Sequence, residues 1–231
     1  MSKFITAIAM AVGFAAAPST AVTLDAFTTF DGTQGAGSFT YGYYDNVAFN
    51  LFDNNSGCVI AGAICLDSSA LGNLPTASKS TTASMQLGTV NVPDDRLLFH
   101  SGAGNAATYV GYTAQAAGNF SATATFSVLG TDATGVNLFQ FYTPFGGSTS
   151  ITLVGALTQA SPHLTLNVAG TFAAGDTPGY FVDKSGVLFG DSTGVDFVVS
   201  AAVPEPATWG LMIVGVAMVG VAARRRAALT A

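Results

Sequence analysis

Cys58 and Cys65 are the only cysteines in the chain, and six residues separate them. That is too far for a C-x-x-C redox or metal-binding pair, but it makes a feasible small loop for a structural disulfide in an oxidising compartment. The two histidines, His100 and His163, stand apart from any metal-binding spacing such as H-E-x-x-H. There is no G-x-S-x-G nucleophile elbow. Gly102-Ala103-Gly104-Asn105-Ala106-Ala107 faintly echoes a dinucleotide loop but lacks the surrounding βαβ unit. Asp94-Asp95 is the one adjacent acid pair; a glycosidase needs two carboxylates held about 5–10 Å apart, whereas a pair following Pro93 reads as a solvated turn. Asp53-Asn54-Asn55-Ser56-Gly57 and Asp191-Ser192-Thr193-Gly194-Val195-Asp196 set oxygen-bearing side chains among glycines, which suits a hard cation such as calcium. Neither has the Glu that closes an EF-hand, and turn chemistry accounts for both. No catalytic residue, metal ligand set or cofactor is expected, calcium being the one ion these loops suit. Tyr41, Tyr43, Tyr44, Phe139, Phe141 and Tyr142 are read as mostly core; any of them on an exposed face would offer a flat apolar platform for a sugar ring.

These residues need strands to position them. Phe120-Ser121-Ala122-Thr123-Ala124-Thr125-Phe126-Ser127-Val128 alternates with the period of a half-buried strand, its Phe, Ala and Val facing inward. His163 to Val168 alternates likewise with Leu164, Leu166 and Val168 inward, and Ile151–Leu157, Ser38–Tyr43 and Asp196–Val199 are further strands. Turn clusters at Gly130-Thr131-Asp132, Gly146-Gly147-Ser148, Ala174-Gly175-Asp176 and Gly190-Asp191-Ser192 punctuate them. Between Val22 and Val203 three bases (Lys79, Arg96, Lys184) stand against twelve acids, all Asp, a net of −9. The only Glu in the chain is Glu205. A body without Glu and nearly without Lys lacks the straight-chain residues that favour helices. The expected class is all-β, a β-sandwich or jelly roll. Its charge gives no footprint for nucleic acid.

The two ends read as addresses. Lys3 precedes the apolar run Phe4–Ala17, the pattern of a secretory signal peptide. Cleavage after Ala17 would leave Pro18 next to the cut, so the cut is placed after Ala21. At the other end Val203-Pro204-Glu205-Pro206 leads through Trp209 into an apolar run that closes on Arg224-Arg225-Arg226. The prolines keep the segment extended and open to a processing enzyme. Trp209 suits the membrane interface, and the arginines favour a cytoplasmic position with the body outside. Trp209–Ala223 counts fifteen residues, shorter than the ~20 of a comfortable span, so a single C-terminal transmembrane helix is expected as a temporary anchor. The division is 1–21 signal peptide, 22–200 ectodomain and 201–231 sorting tail.

Residues Val203 to Arg226 resemble the PEP-CTERM sorting signal, a tail that also goes by the name of ice-binding protein C-terminal domain without implying ice binding here. The resemblance implies recognition of Pro204, Glu205 and Pro206 by an exosortase, transient inner-membrane anchoring, and loss of the membrane segment from the mature protein. It also implies a Gram-negative, exopolysaccharide-making source and a final place at the cell surface or in the extracellular matrix. The ordered series Leu97–Gly102, Tyr109–Ala114, Ala117–Phe120, Gly175–Thr177, Phe181–Asp183 and Asp191–Asp196 is similar to the jelly-roll ectodomains that often precede such tails, themselves similar to carbohydrate-binding modules. Gln115 and Ala116 stand where those sequences often carry Pro. A non-enzymatic, exopolysaccharide-associated or glycan-binding protein is the expectation. A secreted polysaccharide hydrolase, or a purely structural or adhesive protein, are the alternatives.

Overall fold

The computed structural model describes residues 20–56, 58, 60–186, 191–203, 210 and 213–219. The body occupies Ala21–Ala202. The strands are β1 (Thr20–Asp25), β2 (Phe39–Tyr44), β3 (Phe49–Leu51), β4 (Ala63–Ser68), β5 (Gly72–Ser80), β6 (Met85–Leu87), β7 (Val90–Val92) and β8 (Leu97–His100). They continue with β9 (Ala107–Tyr112), β10 (Gly118–Val128), β11 (Val136–Thr143), β12 (Ser150–Leu157), β13 (His163–Phe172), β14 (Thr177–Lys184) and β15 (Thr193–Val203). One short helix, α1 (Ala26–Thr29), follows β1, its first turn capped by the Asp25 carboxylate accepting from the Phe27 N–H at 2.8 Å.

Sheet A runs β13-β10-β15-β8-β5-β4 with β1 also on β15, and sheet B runs β12-β11-β14-β9-β2-β3. The last eight strands pair antiparallel as β8·β15, β9·β14, β10·β13 and β11·β12. This is one long hairpin folded over so that its segments fall alternately in two sheets, the winding of a jelly roll. The all-β expectation therefore holds, and the hairpin of β11 and β12 is the tip of that winding. Phe120–Val128 falls in β10, His163–Val168 in β13, Ile151–Leu157 in β12 and Asp196–Val199 in β15, while Ser38–Tyr43 begins one residue early, Ser38 closing a 3-10 turn before β2.

The core lies between the sheets, where alternation places it. On β10, Phe120, Ala122, Ala124 and Phe126 are buried, while Ser121 and Thr123 are exposed. Phe39, Tyr41, Val110, Tyr112, Leu138, Tyr180 and Val182 meet them from sheet B. Complete burial of a ring such as Phe126 contributes about 1.5–3 kcal/mol, and edge-to-face contacts with Tyr180 and between Tyr180 and Phe197 add directionality. Tyr41 is wholly buried with its hydroxyl donating to the Ala26 carbonyl. A satellite core of Ile60, Val90, Val92 and Leu98 sits under the small β6·β7 ribbon.

The spanning helix expected at the C-terminus is not seen: among the described residues no helix is long and apolar enough to cross a membrane. The helical stretch described there covers 213–219. Even the whole fifteen-residue run would reach only about 22 Å at 1.5 Å per residue, short of a ~30 Å hydrocarbon core.

Candidate functional site

The outer face of sheet B departs from what an exposed sheet face normally carries. Tyr44, Tyr109, Phe139, Phe141 and Phe181 all project from it, and Phe49 folds over them; Tyr109, Phe141 and Phe181 are buried there. The rings touch in series: Tyr44 to Phe49 at 4.7 Å, Phe49 to Phe141 at 4.5 Å, Tyr44 to Phe181 at 5.1 Å, and Phe139 stacked on Phe181 at 4.7 Å. Glycines make room for them. A Cβ on Gly179 would lie 2.4 Å from the Phe141 ring and 2.3 Å from the Val110 carbonyl, and one on Gly42 would lie 2.6 Å from the Tyr109 ring. Gly179 and Gly111 are partners in register, so Phe141 lies flat on a bare strip of backbone. Glycine in a strand interior marks such a close approach.

Beside this slab runs a groove of about 590 Å³ lined by Thr40, Tyr44, Val47, Ala48, Phe49, Tyr109, Phe141, Thr143, Ser148, Thr149, Ile151 and Thr177. Its size is that of a small-ligand site. The lining holds aromatic rings, aliphatic side chains and hydroxyls, with no charged side chain. Tyr44 and Phe49 are half-buried and give the groove its accessible aromatic surface.

Two aspartates outside the lining hold the walls. Asp45 accepts from the Val47 N–H at 2.9 Å, the Ala48 N–H at 2.8 Å and the Asn50 amide at 3.1 Å, fixing the 45–49 loop. Asp176 accepts from the Tyr142 hydroxyl at 2.7 Å, the Phe145 N–H at 2.9 Å and the Ala173 N–H at 2.9 Å, fixing the 144–149 hairpin loop. Backbone N–H donors hold both carboxyls below the usual carboxylate range: Ala48 foremost for Asp45, and Phe145, then the Tyr142 hydroxyl, for Asp176.

The residues singled out from sequence fall in separate places. Cys58 and Cys65 are joined as a disulfide with Cα atoms 5.4 Å apart, beside the satellite core. Asp94 and Asp95 lie in the turn before β8, where Asp95 pairs with Arg96 at 2.7 Å. His100 closes β8 with Nδ1 against the Ser101 carbonyl, and burial pushes its pKa down; His163 opens β13 on the surface. The leading carboxylate of each acidic loop is engaged by protein donors. Asp53 accepts from Ser69, and Asp191 accepts from the N–H groups of Thr134 and Gly135. Among the described residues no three His, Cys, Asp or Glu side chains gather as a metal site. Of the six aromatics, Tyr41 is core, Tyr43 packs against it, Tyr142 binds Asp176, and Tyr44, Phe139 and Phe141 are on the outer face of sheet B. Phe49, Tyr109 and Phe181 were not separable from core strands by pattern; the glycines at alternate positions beside them, Gly42, Gly111 and Gly179, were the signal available. Pro204, Glu205, Pro206, Trp209, Arg224, Arg225 and Arg226 lie outside the described residues.

No curated protein matches the chain. Among solved structures it is similar to the PRD1 vertex protein P5, at 12% identity over 71% of this chain and 96% of that one, TM-score 0.32. It is similar to the C-terminal CBM6 of LamC, a marine laminarinase from Zobellia galactanivorans, at 9% identity, 70% and 98% coverage, TM-score 0.24. A third is the carbohydrate-binding module CBM6cm-2 from Cellvibrio mixtus lichenase 5A in complex with cellotriose, at 9% identity, 66% and 92% coverage, TM-score 0.23. At the C-terminus, residues 202–226 match the PEP-CTERM protein-sorting motif, which implies export, membrane anchoring before processing, and processing by an exosortase. The tail of this chain is a PEP-CTERM sorting signal.

Proposed function

We propose that this is a non-enzymatic glycan-binding protein of the cell surface or extracellular matrix, delivered by its tail and holding a neutral stretch of exopolysaccharide in the groove of sheet B. The observation that carries the reading is the composition of the groove: accessible Tyr44 and Phe49 rings flanked by the hydroxyls of Thr40, Thr143, Ser148, Thr149 and Thr177, with no charge in the lining. Sugar rings present apolar C–H faces and equatorial hydroxyls, and a slab of aromatic surface edged by hydroxyls answers both. A hydrolase would need two carboxylates across the groove; Asp45 and Asp176 have their oxygens turned to loop N–H groups instead. The sorting tail supports the location. A fifteen-residue apolar run serves as the temporary anchor, released with the tail, and Gram-negative export through a signal peptide cut after Ala21 completes the route.

The test is retention of the protein on the producing cell's own exopolysaccharide, with Tyr44→Ala/Phe49→Ala as the variant and a calcium chelator in a parallel arm. Retention lost in the variant and kept under chelation is expected. Retention unchanged in the variant would remove the groove from the reading, and shortening of the polymer would replace binding by hydrolysis.

A further inference from the structure

Each sheet of a sandwich has two edges, and an edge offers unpaired N–H and C=O groups to any strand that meets it. Three of the four end strands in the two strand orders are blunted; β1, six residues long and paired only with β15, lies outside those orders. β3, at one end of sheet B, is three residues long. At the other end, β12 carries a bulge at Val154, the residue skipped where Gly155 pairs with Leu138 and Leu153 with Phe139. β4, at one end of sheet A, breaks register between Asp67 and Ser68 and is covered by the 53–54 segment, whose N–H groups both donate to the Asp67 carbonyl. Short strands, bulges and covering segments are the devices that keep edges from pairing.

The fourth edge has none of them. β13 runs ten residues, His163–Phe172, in unbroken register with β10 from Gly118↔Phe172 to Ser127↔His163, and no described strand lies on its other side. It holds no proline and no Asp, Glu, Lys or Arg, and the whole segment from Ala133 to Gly175, 43 residues, carries no Asp, Glu, Lys or Arg. Its inward residues Leu164, Leu166 and Val168 remain half-buried, as does Phe172, although Phe126, Ala124 and Ala122 opposite the first three are buried. The core is open along this edge.

We propose that β13 is where two copies of this chain join, antiparallel and edge to edge, so that sheet A continues from one molecule into the next. The occupant follows from charge and symmetry. The body carries a net of −9 between Val22 and Val203, so two copies repel wherever their aspartates face each other, and this uncharged edge is where they meet without that cost. A strand paired with its own copy about a twofold axis brings inward residues beside inward residues, so Leu164, Leu166 and Val168 of each copy cover those of the other.

The test uses the full chain in nonionic detergent with no glycan present, so its outcome is independent of the groove. Amide exchange of the wild type is followed as concentration rises, and association is measured by sedimentation for Thr165→Lys/Ala169→Lys on β13 and for Leu51→Lys on β3, all exposed positions. Slower exchange along β13 but not β3 at high concentration, association at least tenfold weaker in the β13 variant, and none lost in Leu51→Lys are expected. Exchange along β13 independent of concentration would overturn the proposal, whether or not the variant folds. So would association equal in wild type and β13 variant, or weakened as much by Leu51→Lys.

Discussion

The two outer faces of the sandwich are both turned to solvent, yet they are built on opposite plans. On β10 and β13 of sheet A the outward positions are short and mostly polar, while Leu98 of β8 is covered by the satellite core. Thr123 meets Asn167 at 2.9 Å, Thr125 meets Thr165 at 3.3 Å and Asn119 meets Thr171 at 3.3 Å, as cross-strand pairs. On sheet B the same positions alternate between glycine and aromatic rings. An antiparallel sheet with one solvated face is expected to be polar on that face, and β10 and β13 of sheet A comply. Sheet B buries Tyr109, Phe141 and Phe181 on the outside of the molecule, which the main core does not require. Its rings are held by bare backbone below and the 45–49 loop above. The departure from the rule is what the proposed binding reading rests on, and substitutions that are harmless on one face should be costly on the other.

The largest difference is expected for Gly179→Val against Thr123→Val. At Gly179 the first added carbon already meets the Val110 carbonyl and the Phe141 ring, so the ring or the strand must move. Overpacking of this kind costs about 1–3 kcal/mol, and more where backbone blocks it. Thr123→Val on sheet A removes one exposed hydrogen bond and adds no bulk, an effect within about 0.5 kcal/mol. Chemical denaturation midpoints of the two variants give the comparison; equal losses would mean that sheet B is no more tightly built than sheet A.

A smaller effect on stability, and a larger one on binding, is expected of Phe49→Ala. Phe49 contacts Tyr44, Tyr109 and Phe141 from a half-buried position, so its loss should cost about 1–2 kcal/mol, below the 3–5 of a fully buried ring. Retention on exopolysaccharide should fall about tenfold, in line with about 1.4 kcal/mol of lost stacking. Thr165→Ala on the other face should leave retention unchanged.

How much of this could be read in the sequence depended on which face a residue served. Alternation placed β10 and β13 because Ser and Thr interleave with Phe, Ala and Leu there, and those strands have one wet face; β12 was placed by the same pattern although Ile151 and Leu153 are exposed. The stretch from Ala63 to Val92, which forms β4 to β7, gave no such signal: Asp67, Thr76 and Ser78 are buried, so polar residues point both ways. Sheet B's outer face was hidden for the opposite reason. Tyr109-Val110-Gly111-Tyr112 reads as a strand apolar on both sides, and such a run cannot tell core from a covered outer surface. Asp45 acts on its own loop, but the closing of the other wall by Asp176 was beyond sequence. Asp176 binds Tyr142 and Phe145, which lie 34 and 31 residues away, and sheet pairing alone brings them together. The PEP-CTERM motif, by contrast, was legible because its parts are contiguous.

The smallest and most local contrast concerns acid. Asp45 and Asp176 have carboxyl pKa values held below 3.8 by the loop N–H groups that donate to them. A depressed carboxylate binds fewer protons folded than unfolded, so its contribution is complete above the unfolded value near pH 4 and is lost as pH falls through the lower folded value. On the outer face of sheet A, Asp196 is raised above 3.8, by desolvation first and the charge of Asp25 next. There the sign reverses: the folded state binds the extra proton, and acidification relieves a burial penalty. Amide exchange in the 45–49 and 144–149 loops should therefore be flat from about pH 8 to pH 5 and accelerate, after correction for intrinsic rates, only below about pH 4. Exchange along β15 around Asp196 should slow earlier, as pH falls toward about pH 4, and level off below it. Asp45→Asn should abolish the acid limb of the 45–49 loop and leave that of the 144–149 loop in place, since the two carboxylates hold opposite walls through separate donors. Loss of both limbs together would show that the walls of the groove open as one unit, and the contrast would then be between two sheets rather than between three aspartates.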